Sequence, residues 1–359
     1  MAGSQQTEET ISASGLSLLN FFRRPEVGAA AGFILILIFF SFFGWEKSFL
    51  TPLGASTWLN FASKVGIIAI PVGFLMIAGE LDISVGAVIP AGGIVLAMAV
   101  GLYEINIWVG VLLSLAVAGS IGFVNGMLVT RTNVPSLIVT LATLFVVAGL
   151  NAYVSKQLAG TTQHSLQDVG VVSEFVLGDY HSLLIGSGEE PFTIFRSLQS
   201  SFFIWIFFSI VCFYILHISP WGNWIFAMGG DQESARNAGI PTNRLKIALF
   251  VLSAMAAALV GMSEAVLANT ASTTTQFGMI FNTIICVVVG GVLLTGGFGT
   301  VTGIIFGTLT FGIVFQGINF TTFDKDLNLL FIGVLLLVAV LMNDTFRNLA
   351  TSVSTTKKK

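Results

Sequence analysis

The sequence predicts an all-α, polytopic membrane helix bundle of about ten transmembrane helices with two Gly-rich helix breaks. Three observations carry that prediction. The 359 residues are 55% hydrophobic and only 9% charged, with a mean hydropathy of +0.91, whereas a soluble domain carries roughly 25% charged residues. So few charges cannot cover a water-facing surface, and most of the exterior has to face lipid. The apolar residues also fall in runs long enough for a hydrocarbon core about 30 Å thick, which takes roughly 20 helical residues to cross. Finally, carboxylates and glycine pairs punctuate two of these runs, marking the breaks.

The N-terminal segment, residues 1–26, opens with a polar stretch, Met1 to Leu19, that holds Glu8 and Glu9 and no basic leader region, so no cleavable signal is expected. Arg23 and Arg24 precede the first apolar run, which places this end in the cytoplasm. The expected spans lie near 27–44, 58–79, 83–102, 107–129, 136–153, 199–219, 247–267, 280–295, 299–318 and 327–343, the eighth and ninth running together through glycines. The transmembrane domain thus covers 27–346, with a long outer loop at 154–198, a long inner loop at 220–246 and a cytoplasmic tail at 347–359.

Basic residues agree with an even number of spans. Arg131 follows span four, Arg236, Arg244 and Lys246 follow span six, and Arg347 with Lys357, Lys358 and Lys359 follows span ten. Lys47, Lys156, Arg196 and Lys325 fall on the other side, near acids or in the longer loop that also holds Asp168, Glu174, Asp179, Glu189 and Glu190. The bias puts both ends inside. Lys64 is expected near the outer end of span two, where it can snorkel.

Several classes are excluded. A net charge of −3 and a pI near 5.6 leave no polybasic footprint, so nucleic acid is not an expected partner. Cys212 and Cys286 sit in apolar runs and read as small buried or lipid-facing side chains. His164, His181 and His217 lack metal-ligand spacing, the glycine clusters lack the Lys of a phosphate-binding loop, and no nucleophile elbow occurs. No catalytic constellation, metal or cofactor is expected.

The first break is Glu80-Leu81-Asp82-Ile83-Ser84-Val85-Gly86. A central carboxylate costs ~2.5–3.5 kcal/mol on insertion scales. Either Asp82 and Ser84 cap span three in a tight turn, or the break lines a polar cavity on a solute path. The second break runs from Gly290-Gly291 through Thr295-Gly296-Gly297 to Gly299 and loosely resembles the first. Paired interruptions in corresponding halves point to a transport site, and close packing of small residues is the other reading.

The inner loop carries a short helix with both ends marked. Asp231 is a good N-cap, Glu233 sits where the dipole favours it, Gly239 suits the left-handed C′ position and Pro241 stops continuation. So short a helix is unstable alone and has to dock, on lipid or into a cytoplasmic motor domain. Isolated polar residues within spans, Asn125, Asn151, Glu264, Asn282, Thr283, Gln316 and Asn319, read as interhelical glue, some of them able to touch solute.

In order, these blocks resemble the permease subunits of ribose-, xylose- and galactose-type ABC importers, within the wider branched-chain amino acid and sugar permease superfamily. The Glu80–Gly86 block is similar to G-G-I-D-L-S-V-G. Asn125-Gly126-Met127-Leu128-Val129 and Val134-Pro135-Ser136-Leu137-Ile138-Val139-Thr140-Leu141 look like N-G-L-L-V and P-P-F-I-V-T-L. Ala227-Met228-Gly229-Gly230-Asp231 with Glu233, Ala235, Gly239 and Ile240 resembles the E-A-A-x-x-x-G coupling loop, and Gly290 to Gly299 resembles G-G-T-S-L-S-G-G-x-G.

The resemblance implies a path for a monosaccharide or related polar solute across a bacterial inner membrane. Its implied partners are ABC ATPase subunits, an extracytoplasmic solute-binding protein and a second permease copy. It assigns coupling to Asp231, Glu233, Ala235, Arg236, Gly239 and Ile240. It assigns the path to Glu80, Asp82, Ser84, Gly86, Asn125, Asn282, Thr283, Gly290, Gly291, Thr295, Gly296 and Gly297. Three departures fall in that region: Glu80 stands for a usual Gly, Val292-Leu293-Leu294-Thr295 stands for T-S-L-S, and Asn282 stands for an Asp. A competing reading is a self-sufficient secondary carrier in which Glu80, Asp82 or Glu264 binds a coupling ion. An intramembrane enzyme, the third reading, lacks the nucleophile–base pair it would need.

Overall fold

The computed structural model describes residues 25–166, 170, 173, 176–178 and 198–356, with side chains from 26 to 341. The charged flanks at Glu8, Glu9, Arg23 and Arg24, the loop residues Asp168, Glu174, Asp179, His181, Glu189, Glu190 and Arg196, the tail lysines and the Arg347 side chain lie outside it.

The helices are α1 (Pro25–Phe43), α2 (Pro52–Ile77), α3 (Val85–Ala97, prolonged by a π turn Met98–Leu102), α4 (Ile107–Arg131), α5 (Ser136–Ala159), α6 (Ser200–His217), α7 (Pro220–Gly230), α8 (Gln232–Asn237), α9 (Thr242–Ala268), α10 (Phe277–Val289), α11 (Val301–Gly317) and α12 (Leu327–Thr356). An antiparallel ribbon pairs β1 (Gln163–Ser165) with β2 (Thr270–Ser272). Eight of the described helices are long and apolar enough to cross a membrane, and α10 and 327–341 are shorter apolar helices. The chain is an all-α multi-pass membrane bundle.

Local chemistry sets the starts. The Thr51 side chain accepts from Gly54 N ahead of Pro52, so α2 begins six residues before the hydropathy edge at 58. Asn106 caps α4 through Trp108 N, Ser219 caps α7 through Trp221 N, and Thr300 caps α11 through Gly303 N. The early start moves Lys64 to the thirteenth of the 26 residues of α2, midway along it rather than near its outer end. Two other bounds differ. α10 stops at Val289 after 13 residues, about 20 Å, because a glycine turn closes it. α12 continues to Thr356, with no proline to interrupt it, so residues 347–356 prolong the last span as helix.

The interior is apolar and so is much of the outside, as lipid requires. α2 and α3 are the most enclosed spans, with α9 and α11 beside them, and α1 lies at the periphery. Ile68, Phe74, Val88, Phe250 and Phe311 are fully buried, while Leu35, Leu112, Phe145, Phe207 and Leu329 point outward. Small residues let α3 approach α9, Gly92 against Ala258 and Gly93 against Gly261.

The connections gather at two opposite ends. At one, the Lys47 ammonium donates to Thr321 O at 2.6 Å and β1 pairs with β2. At the other, the 78–84, 132–136, 218–241 and 290–300 segments meet, with Leu81 N donating to Ser136 Oγ and Gly297 N donating to Ile77 O. Arg131, Arg236, Arg244 and Lys246 belong to the second end, and Lys47, Lys156 and Lys325 to the first.

Candidate functional site

The second end is built from three identical turns. Each closes a helix with the residue after the cap in the left-handed region, where a side chain other than glycine is strained: Gly79 at φ 83°, Gly239 at 86° and Gly291 at 85°. In each, two N–H groups fold back on orphan carbonyls. Gly79 N donates to Met76 O and Glu80 N to Leu75 O. Gly239 N donates to Arg236 O and Ile240 N to Ala235 O. Gly291 N donates to Val288 O and Val292 N to Val287 O. The weak sequence likeness between the two breaks is therefore a shared local geometry.

The turns at 79 and 291 also meet. Gly297 N donates to Ile77 O at 2.7 Å, satisfying another carbonyl at the end of α2. A Cβ on Gly296 would stand 3.1 Å from Gly79 Cα, and one on Gly229 would overlap the Ile77 carbonyl oxygen. The end of α7, just before α8, is thus wedged against both breaks with backbone on backbone. Gly290 is buried against Gly303, while Thr295 is exposed.

α8 is the six-residue helix that the loop signals mark. Asp231 Oδ1 accepts from Ser234 N at 2.9 Å, an interaction that holds its carboxyl below the usual carboxylate range. Ala235 is buried, Glu233 is exposed, and Arg236 donates to Asn243 Oδ1 at 2.9 Å. The loop also contains α7, an eleven-residue helix that the loop signals do not reveal.

Glu80 and Lys246 form an ion pair, and Lys246 Nζ also donates to Gln232 Oε1 at 2.8 Å. One ammonium therefore joins the first break, the first residue of α8 and α9. Its side chain is 6% exposed, so this pair is largely desolvated and each charge depends on the other. The departure from glycine at position 80 has its physical partner here.

Asp82, Ser84 and Asn125 are brought together, fully buried. Asp82 Oδ1 accepts from Ser84 N (3.0 Å) and Ser84 Oγ (2.6 Å), and Asp82 Oδ2 accepts from Ser253 Oγ (2.9 Å). Asn125 Nδ2 donates to Ser84 Oγ (3.0 Å), and Thr143 Oγ1 donates to Asn125 Oδ1 (2.6 Å). The network pins α3, α4, α5 and α9 around the break. Along its own segment Asp82 bonds Ser84, two residues on, and no N–H inside α3, so it shapes the turn and α3 begins without a side-chain cap.

Gly86 lies apart from that network. Its carbonyl accepts from Gln276 N at 2.8 Å, and a Cβ there would stand 2.6 Å from Ile280 Cδ1 and 3.1 Å from Gln276 O. It seats the start of α10 against α3. Asn282 is half-buried, and Thr283 is buried with its hydroxyl on Met279 O. Sequence reasoning missed Gln232 and Lys246 as site residues. Half of the signal was available, since an acid in a break needs a partner, but the hydropathy edge at 247 left Lys246 in the inner loop, whereas α9 begins at Thr242. His217 accepts from Val301 N through Nε2 at 3.3 Å.

A family model described as "branched-chain amino acid transport system / permease component" matches residues 54–340. The chain is 31% identical to the L-arabinose ABC transporter permease protein AraH of Azospirillum brasilense, over 84% of this chain and 82% of the relative. It is 27% identical to the fructose import permease protein FrcC of Rhizobium meliloti, over 80% and 76%, and 28% identical to the ribose import permease protein RbsC of Escherichia coli, over 80% and 84%. No solved structure matches it.

Proposed function

The chain belongs to the branched-chain amino acid transport system permease-component family, and we propose that it forms the membrane path of an ABC importer for a monosaccharide or related small polar solute. The observation that carries this reading is α8. A six-residue helix has no independent stability, yet this one is capped at both ends and tied by Gln232 through Lys246 to Glu80 in the first break. Such a helix is a handle for a force applied from outside the bilayer. The monosaccharide class rests on relatives named for arabinose, fructose and ribose.

In this reading the α8 end is cytoplasmic, both termini lie inside, and the membrane is a bacterial inner membrane. A separate ATPase subunit docks on α8, an extracytoplasmic binding protein delivers solute to the β-ribbon end, and a second permease copy completes the path. ATP hydrolysis belongs to the ATPase subunit. Closure of the motor would displace α8, and Gln232, Lys246 and Glu80 would pass that displacement to α9 and to the α2–α3 break. The Gly229 wedge would pass it to the turn at 296–297. Glu80, Asp82, Ser84, Gly86, Asn125, Asn282, Thr283 and the 290–297 glycines would then be parts of the moving break.

Mild solubilisation of the tagged chain from its native membrane, followed by mass spectrometry, tests the reading. Recovery of an ABC ATPase is expected. Failure to recover one even after chemical crosslinking would turn the assignment toward a self-sufficient carrier.

A further inference from the structure

Beyond the α8 end, a cavity of about 300 Å³ lies between α3, α9 and the segment after β2, at the lower edge of the volumes typical of small-ligand sites, about 300–1,000 Å³. We propose that this cavity is a solute-binding site of the permease itself, in which Glu264 and Gln276 recognise adjacent hydroxyls of a neutral polyol that reaches it from the β-ribbon end. The inference rests on the importer reading and adds to it a place and a ligand chemistry.

The sequence builds the site through a missing donor. Pro90 has no N–H, so the Gly86 carbonyl one turn earlier lacks its helical partner. Gln276 N fills that place at 2.8 Å. The bond anchors the stretch between β2 and α10 against the middle of the bundle, and α10 starts there rather than at the surface. The side chain of Gln276 then points at α9 and donates through Nε2 to Glu264 Oε2 at 2.8 Å. Among the described residues, Glu264 Oε1 has no hydrogen-bond partner, which leaves a carboxylate oxygen and the Gln276 amide oxygen as acceptors side by side. Thr270, Ser272 and Thr274 add hydroxyls on the way in, and Ile89, Pro90 and Gly93 form a flat apolar wall.

That combination matches a sugar, which offers hydroxyl donors along its edge and C–H groups on its face. The charge balance selects against an anion. A carboxylated or phosphorylated solute would meet Glu264 with like charge.

The test uses the complete importer in proteoliposomes, with ¹⁴C-labelled D-ribose, L-arabinose and D-fructose as probes. Cys212 and Cys286 are buried, so Thr274→Cys supplies an exposed thiol at the cavity mouth for a membrane-impermeant maleimide. A transported sugar at millimolar concentration is expected to slow labelling, and an untransported one is not. Glu264→Gln added to this variant should weaken that protection about tenfold or more, the loss expected for one hydrogen bond to a charged group, without changing labelling in the absence of sugar. Protection that survives Glu264→Gln, or a transported sugar that gives none, overturns the site while leaving the importer intact. Absence of ATP-dependent uptake of all three sugars by the unmodified complex would instead sink the monosaccharide reading and this site with it.

Discussion

At the residue scale the decisive interactions are those of charges and glycines that have no alternative partner. Lys246 sits in a largely water-free position between Glu80 and Gln232. Removing one member of a buried pair costs about 3–5 kcal/mol, much of it from the orphaned charge. Glu80→Gln is therefore expected to lower thermal stability in detergent, and the double variant Glu80→Gln/Lys246→Met to recover much of the loss. A double variant no more stable than Glu80→Gln would show that the pair is not what matters there. Gly86 sets a different constraint. A valine would push Ile280 and the Gln276 backbone away from α3, so Gly86→Val should insert normally and lose uptake, as sugar counting after membrane fractionation would show.

At the element scale the short helices and the turns that end them carry the predictions. Gly239 holds φ at 86° and closes α8 with two back-folded N–H groups. Gly239→Val should abolish uptake and weaken retention of the ATPase while leaving the bundle inserted, and normal uptake would remove α8 from the coupling role. Gly229→Ala should act similarly from a distance, because its methyl would strike the Ile77 carbonyl and part α7 from the α2 turn. Measured ATPase activity without uptake is the expected signature, since hydrolysis would continue while the displacement no longer reached the breaks. The Asp231 cap adds a pH sign. Its carboxyl is held below the ordinary value, so its contribution to α8 is complete above the unfolded value and fades as pH falls through the folded one.

For the whole molecule, the test concerns sidedness. The described connections alternate between two ends, and the basic residues at 131, 236, 244 and 246 share one of them. Reporter fusions at Thr295 and at the C-terminus should report the same compartment, and fusions at Ser48 and Thr161 the opposite one. A split within either pair would require a different span count.

The class of molecule, the approximate spans, the α8 helix with its caps and the existence of two breaks are legible in the order of residues. These rest on local composition and on turn chemistry, which act over a few residues. Glycine after a helix end and Asp before one are legible because their physics is local. Tertiary structure alone decided that the two breaks bond to each other, that Glu80 faces Lys246 across 166 positions of sequence, and that Asp82, Ser84, Asn125, Thr143 and Ser253 form one buried network. It alone turned a span expected at 280–295 into a thirteen-residue helix that begins beside Gly86. A membrane interior imposes this division. Every apolar run reads alike because lipid and core are equally apolar, so hydropathy gives no direction to a helix face. Only the packing of the bundle reveals which polar groups have found one another.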